Sequence, residues 1–375
     1  MEHSETIIQN TDPAAEEFTS RLAGLRQSID EIDDTMLDLI NRRLEIVNEV
    51  GKLKAQRKQQ VLDSTRESQI FQRLLSLNKG PLNEKVLRHL FTQIMAASRQ
   101  LQRPSRVSYL GPEATYTHIA AMNHFGHSVE YISQPSIRDV FNEVEKGTCH
   151  YGVVPVENSI EGAVNHTLDL FFESELKICA EKYQPISHDL LCKSGIMKDI
   201  KKIYSHPQPF AQCRRWLQKY LPEAILEECG STAIAAQKAA QEPGTGAIAS
   251  SEAAHIYKLE VVASRIEDVA RNTTRFLIIG TDEIHRTGED KTSLMFVTAH
   301  MPGALYRVLQ PIAENGLNMV KLESRPTKHE NWSYFFFADL EGHMEDDIVQ
   351  KTVTEMKKIC LYLKILGSYP KSGEI

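Results

Sequence analysis

The stretch Tyr151–Val164, YGVVPVENSIEGAV, opens as a short apolar run, breaks at Pro155 and passes into a polar turn carrying Glu157, Asn158, Ser159 and Glu161. A buried strand that ends in a turn rich in donors and acceptors is where an α/β protein places a ligand site. The same design returns at Ile203–Phe210, IYSHPQPF, and at Asn272–Gly280, NTTRFLIIG. Strand–loop junctions carrying hydroxyls, amides and an arginine predict one polar cleft in the middle of the chain. The sequences on either side read as separate modules.

Outward from that stretch, residues 106–282 alternate short apolar strands with helical segments. Strands are expected at Arg106–Leu110, Val129–Ile132, Tyr151–Val156, a long one at Lys177–Cys192, Lys201–Tyr204, Ile225–Glu228, Gly246–Ala249, Val261–Ala263 and Arg275–Ile279. Helices are expected between them, among them Pro209–Tyr220 and Thr232–Gln241. Such alternation predicts a largely parallel sheet covered on both faces, and the length allows two lobes around a cleft. Walker, Gly-x-Gly-x-x-Gly, His-Glu-x-x-His and Gly-x-Ser-x-Gly motifs are absent, which argues against nucleotide, zinc and serine-hydrolase chemistry. The groups on offer are Thr115 and Tyr116, then Glu157, Asn158 and Ser159, then Ser205, His206 and Gln208, then Thr273, Thr274 and Arg275. Each also has an ordinary reading, such as a helix N-cap at Asn158-Ser159 or a turn at His206-Pro207.

Together these motifs resemble prephenate dehydratases. The tripeptide Thr274-Arg275-Phe276 matches the hallmark of that family, and GPEATYT (111–117), VVPVENS (153–159) and SHPQPF (205–210) match as well. The resemblance implies an α/β fold of two subdomains like those of periplasmic binding proteins. It implies loss of CO2 and water from prephenate to give phenylpyruvate, with no cofactor and no metal. By that resemblance Thr274 hydrogen-bonds the leaving hydroxyl. Arg275 is either a carboxylate anchor or structural. Thr115, Glu157, Asn158, Ser159, Gln208, Thr273 and Phe276 are expected as substrate-binding residues.

Residues 16–105 have a different texture. From Glu16 to Gln59 apolar residues recur at Leu22, Leu25, Ile29, Ile32, Met36, Leu39, Ile46, Val50 and Leu53, spaced as heptad a and d positions. This predicts a helix of about 40 residues, roughly 60 Å long, that packs along a partner helix. Arg43 occupies a position where an apolar residue is due, and Lys54 falls about three turns further along nearly the same face. Two cations facing a bundle interior form a site for a small polyanion, or else they snorkel out or pair with carboxylates. Arg26 lies about 25 Å from Arg43 along the helix, so it reaches such a pocket only from a second, antiparallel copy. Helices are expected at Asp63–Leu77 and Leu82–Gln102, the latter carrying Ser98 and Gln102 on one face.

The series Arg26, Arg43, Lys54, Asp63, Arg66, Glu67, Ser98 and Gln102 resembles the active site of the all-helical chorismate mutases, an intertwined dimer family. The resemblance implies that Arg26 of one subunit joins Arg43 and Arg66 of the other on the carboxylates of chorismate. Lys54 and Gln102 would meet the ether oxygen, Glu67 the hydroxyl, and Asp63 and Ser98 would support the site. A Claisen rearrangement needs only a held conformer and stabilised charge on the breaking bond, which fixed donors supply.

After a polar linker, residues 291–370 read as Thr292–Thr298 strand, Ala304–Glu314 helix, Asn318–Ser324 strand, Ser333–Leu340 strand, Asp346–Cys360 helix and Leu363–Leu366 strand. That order is the ferredoxin-like βαββαβ arrangement. Gly303-Ala304-Leu305 and Glu323-Ser324-Arg325-Pro326 resemble two motifs of the ACT regulatory domain in prephenate dehydratases, and imply a phenylalanine site at a subunit interface and feedback inhibition.

The whole chain, 375 residues with 41% hydrophobic and 25% charged, is expected to be multidomain: helical 16–105, α/β 106–282 and ACT 291–370. A formal net charge of −7 argues against nucleic-acid and membrane-surface partners. An acidic polar N-terminus and six scattered cysteines without a Cys-x-x-Cys pair predict a cytoplasmic protein with reduced thiols. The expected partners are chorismate and prephenate as substrates, phenylalanine as inhibitor, and further copies of the chain as a homodimer or larger homo-oligomer. An arogenate-preferring dehydratase and a non-catalytic amino-acid-binding regulator stay open as alternatives.

Overall fold

The computed structural model describes residues 13–56, 64–102, 106–127, 129–270, 272–326 and 334–372. The chain divides into two compact units, Met1–Gln59 and Gln60–Ile375. Among the described residues the first is a single helix, α1 (Pro13–Gln56), 44 residues long, near the length the heptad pattern predicts. Its apolar stripe, including Leu25, Ile29, Ile32, Met36, Leu39, Ile46 and Val50, is exposed.

The second unit opens with α2 (Ser64–Leu77) and α3 (Glu84–Gln102). Asn83 caps α3, its Oδ1 accepting the Val86 N–H at 2.9 Å. Then follow β1 (Arg106–Leu110), α4 (Tyr116–Phe125), β2 (Glu130–Gln134), α5 (Ile137–Glu145), β3 (Tyr151–Asn158), β4 (Gly162–Ala163), α6 (Asn165–Glu173) and β5 (Lys177–Pro185). The chain crosses to a second lobe: β6 (Asp189–Cys192), β7 (Lys202–Ser205), α7 (Pro207–Gln212), α8 (Arg214–Tyr220), β8 (Ile225–Glu228), α9 (Thr232–Gln241), β9 (Thr245–Ala249), α10 (Ser251–Tyr257) and β10 (Glu260–Ala263). It returns to the first lobe through β11 (Thr273–Gly280). The first sheet runs β2-β1-β3-β11-β5 with β4 on β3, and the second β10-β6-β9-β7-β8.

Both sheets are mixed, not largely parallel. The strand that returns, β11, runs antiparallel to β3 and β5, while β1 is parallel to β2 and β3. The expected long strand at 177–192 is two strands, because the chain changes sheets between Pro185 and Asp189. The expected helix at 209–220 is also two. Asp268 accepts the N–H groups of Arg215 and Trp216, at 2.9 and 3.2 Å, and so starts α8 as a separate helix.

The C-terminal region is β12 (Asp290–Val297), α11 (Ala304–Glu314), β13 (Met319–Pro326), β14 (Tyr334–Glu341), α12 (Asp347–Ile359) and β15 (Tyr362–Pro370). Its antiparallel order β13-β14-β12-β15 is that of the ferredoxin-like arrangement. Its sheet stacks on the first lobe. Met295, Phe335, Phe337, Leu366 and Tyr369 share one core with Val154, Val156, Leu277 and Ile279. The opposite face of β3 and β11, with Val153, Phe276 and Ile278, packs on Ala120, Ala121 and Phe125 of α4.

Candidate active site

Between the lobes lies a cavity of about 340 Å³. Its first-lobe wall is the loop Leu110–Thr115 and the start of α4. A side chain at Gly111 would displace Ser133, since a Cβ there would lie 1.8 Å from Ser133 Oγ. Thr115 caps α4, accepting the His118 N–H at 3.3 Å and donating to Leu110 O at 3.1 Å. The second-lobe wall is α7 with its cap, from His206 and Gln208 to Gln212, and the start of α9, where Ser231 Oγ accepts the Ile234 N–H at 3.1 Å. The crossover supplies Ile186 and His188, and β3 and β11 supply Asn158 and Thr274. The Tyr116 hydroxyl donates to Ser187 O and ties α4 to the crossover.

A hydrogen-bond chain runs through the floor. The Asn158 amide donates both hydrogens, to Asn272 Oδ1 and to Thr274 Oγ1, each at 2.8 Å. Its Oδ1 accepts the N–H groups of Ile160 and Glu161, at 3.0 and 3.2 Å, so the orientation of the amide is determined. Asn272 Nδ2 reaches Gln212 Oε1 at 3.3 Å, and His188 Nε2 lies 2.7 Å from the same oxygen. Burial lowers the His188 pKa, and a proton on Nε2 would be donated to the Gln212 carbonyl oxygen. Gln212 Nε2 and His188 Nδ1 are buried and lack a hydrogen-bond partner among the described residues.

The cleft therefore brings Thr115, Asn158, Gln208 and Thr274 together, as expected of a single site. Other expected residues are not in its lining, and Arg275, expected as a carboxylate anchor or a structural residue, is held elsewhere. Its guanidinium is 3% exposed and donates to Glu181 at 2.9 Å, to Asp339 at 2.6 Å and to the Tyr369 hydroxyl at 3.0 Å, on the side of the C-terminal sheet. Burial opposes its charge, but Tyr369, Asp339 and Glu181 raise its pKa well above the ordinary arginine value. Glu157 Oε2 lies 2.5 Å from Lys321 Nζ on β13, an ion pair by distance but too bent for a hydrogen bond. Ser159 Oγ accepts the Thr273 N–H at 3.0 Å, pinning the end of β3 to the start of β11. Phe276 is core. The pleat turns the residues adjacent to Asn158 and Thr274 away from the cleft, whereas Phe276, two residues on from Thr274, shares its face but is buried against α4.

Sequence reasoning missed His188, Gln212, Ser231, Thr232 and Asn272. Gln212 stands one helical turn after Gln208, and Ser231 precedes an apolar helical run, so both carried a readable signal. His188, a lone histidine at a lobe crossing, carried none.

In the helical region, Glu67 pairs with Arg99 across α2 and α3, and Arg66 is exposed. Buried Ser98 donates to Ile94 O at 2.7 Å. On α1, Arg26 is exposed and Arg43 partly so. Asp63 and the side chains of Lys54 and Gln102 lie outside the described residues. In the C-terminal region Gly303, at φ 74°, precedes α11, whose first residues are Ala304 and Leu305; Glu323-Ser324-Arg325-Pro326 ends β13, an edge strand. Among the described residues no helix is long and apolar enough to cross a membrane.

Comparison with known proteins agrees with this architecture. A chorismate mutase type II family model matches residues 25–103, a prephenate dehydratase model 107–284 and an ACT domain model 292–356. The bifunctional chorismate mutase/prephenate dehydratase of Aquifex aeolicus is 44% identical over 94% of this chain and 98% of its own length. That of Stutzerimonas stutzeri is 42% identical over the same shares. The crystal structure of an Arthrobacter aurescens prephenate dehydratase in complex with L-Phe is 32% identical, with a TM-score of 0.67 over 71% of this chain and 90% of that one. The chain belongs to the family of bifunctional chorismate mutase/prephenate dehydratases.

Proposed function

We propose that this chain rearranges chorismate to prephenate in its helical module and converts prephenate to phenylpyruvate in the cleft between the α/β lobes. The observation that carries the second step is the hydrogen bond from Asn158 to Thr274. Because Thr274 Oγ1 accepts there, its own hydrogen is left for the substrate. As the C–CO2 bond breaks, its electron pair aromatises the ring and the ring C–O bond breaks. A donor on the departing hydroxyl lowers the cost of that charge. The described lining of the cleft contains no lysine, arginine, aspartate or glutamate. The amide-rich starts of α4 and α9 attract carboxylates by their dipoles. No carboxylate in that lining matches the ammonium of arogenate, which favours prephenate as substrate.

In the mutase module Arg43 and Arg66, with Arg26 from a second copy, bind the carboxylates of chorismate; Glu67 takes its hydroxyl, and Lys54 and Gln102 meet its ether oxygen. The exposed apolar stripe of α1 supports a homodimer, since a second copy would cover it. Phenylalanine binds through Gly303–Leu305 and Glu323–Pro326 and inhibits the chain in the cytoplasm. The test is turnover of chorismate, prephenate and arogenate by the purified chain, with and without phenylalanine. Phenylpyruvate from chorismate is expected, and a chain that turns over arogenate faster than prephenate refutes the substrate reading.

A further inference from the structure

Glu157 and Arg275 are cross-strand partners in the β3–β11 pair, directly beside the Asn158–Thr274 partners. Cross-strand partners share a face and successive pairs point opposite ways. Asn158 and Thr274 face the cleft, so Glu157 and Arg275 face the C-terminal sheet. A β-bulge between Arg275 and Phe276 interrupts the register just there. Such bulges re-aim side chains next to active sites.

Every strand of the C-terminal sheet reaches the back of this pair. Lys321 of β13 lies 2.5 Å from Glu157. Asp339 of β14 and Tyr369 of β15 accept from Arg275, at 2.6 and 3.0 Å. Lys291 of β12 donates at 2.9 Å to Glu181, which also holds Arg275. The Arg275, Glu181 and Asp339 side chains are at most 3% exposed. Buried charges of this kind hold their partners tightly, because losing one leaves another unpaired. The C-terminal sheet therefore cannot shift on the first lobe without breaking this network or moving Glu157 and Arg275, and either disturbs their neighbours.

We propose that Glu157 and Arg275 are positioning residues for the dehydratase reaction: they hold Asn158 and Thr274 from behind and make the C-terminal sheet a structural part of the cleft. They also form the path by which an effector on β13 reaches the chemistry, since Lys321 stands two residues from Glu323. This second statement rests on the effector reading above; the first does not.

The experiment uses the full-length chain with Glu157→Gln, Lys321→Gln and the double variant. Glu157 is 40% exposed but its replacement leaves the buried Lys321 ammonium unpaired, so thermal midpoints are measured for each variant, and the double variant removes both charges. Without phenylalanine, each single variant is expected to lower dehydratase kcat about tenfold with KM nearly unchanged, as a small misplacement of reacting groups does. The double variant should fall no further than the worse single one, because the two act as a unit. Chorismate mutase turnover should not change. Full dehydratase activity, additive losses, or a parallel loss of mutase activity would each overturn the positioning role. With phenylalanine, direct calorimetric binding is paired with inhibition. Lys321→Gln is expected to bind phenylalanine yet be inhibited about tenfold less effectively than wild type. A variant that binds and is inhibited like wild type overturns the path. A wild-type chain that binds no phenylalanine overturns the effector reading and the path with it, while the kcat measurements still decide the positioning role.

Discussion

Thr274 is a weak acid in bulk water, and its value in the cleft lies in direction. Asn158 occupies its lone pair, so its hydrogen is presented to the substrate. Thr274→Val is expected to cut dehydratase kcat about a hundredfold or more, whereas Thr274→Ser keeps most of it. Coupled assays on added prephenate check this, and near-normal phenylpyruvate formation by the valine variant would rule out the assigned donor. At this scale the motifs pointed to Thr274, Asn158 and Gln208, because each sits in a short polar run beside an apolar strand. They left the role of Arg275 open, since a motif states adjacency and the pleat then sends adjacent residues to opposite faces.

The elements meet closely where β15 crosses the start of β5. Gly367 has no room for a side chain: a Cβ would lie 2.3 Å from Ile178 O, a backbone atom that cannot turn aside. Gly367→Ala is expected to destabilise the protein by about 1–3 kcal/mol by prising this seam apart, and to weaken dehydratase more than mutase activity. Urea unfolding monitored alongside both activities tests this, and an unchanged midpoint would contradict it. Helices and strands were legible from apolar period and caps: Thr232–Gln241 and Ala304–Glu314 have the expected bounds. The breaks at Pro185–Asp189 and Cys213 were not, because a lobe crossing and the Asp268 cap depend on distant segments.

At the scale of the molecule, α3 packs on α4: Ala96 abuts Gly126, and Arg99 lies near His124. Burial first, then Arg99 and Lys182, push the His124 pKa down to about 3. A lowered histidine pKa means that below about pH 6.5 the unfolded chain takes up a proton that the folded chain refuses. This contribution to stability is complete above pH 6.5 and is lost as pH falls toward 3. Thermal midpoints should therefore drop between pH 7 and 5, and less steeply in His124→Gln; parallel curves for the two proteins would discount His124. The division of labour is also a whole-chain property. Lys54→Ala is expected to abolish chorismate mutase activity while dehydration of added prephenate continues at near wild-type rate. Loss of both activities in that variant would refute separate sites.

Sequence alone determined what depends on near neighbours. Heptad spacing set the long helix, strand and helix periods set the α/β and βαββαβ orders, and short motifs marked three modules and much of the cleft. Tertiary structure decided what depends on register and stacking. It set Glu157 and Arg275 against the C-terminal sheet and joined His188, Gln212 and Asn272 into one chain of hydrogen bonds beneath Thr274. The reason is that a strand's local sequence sets its alternation, while the face that meets the cleft is chosen by pairing with strands far along the chain.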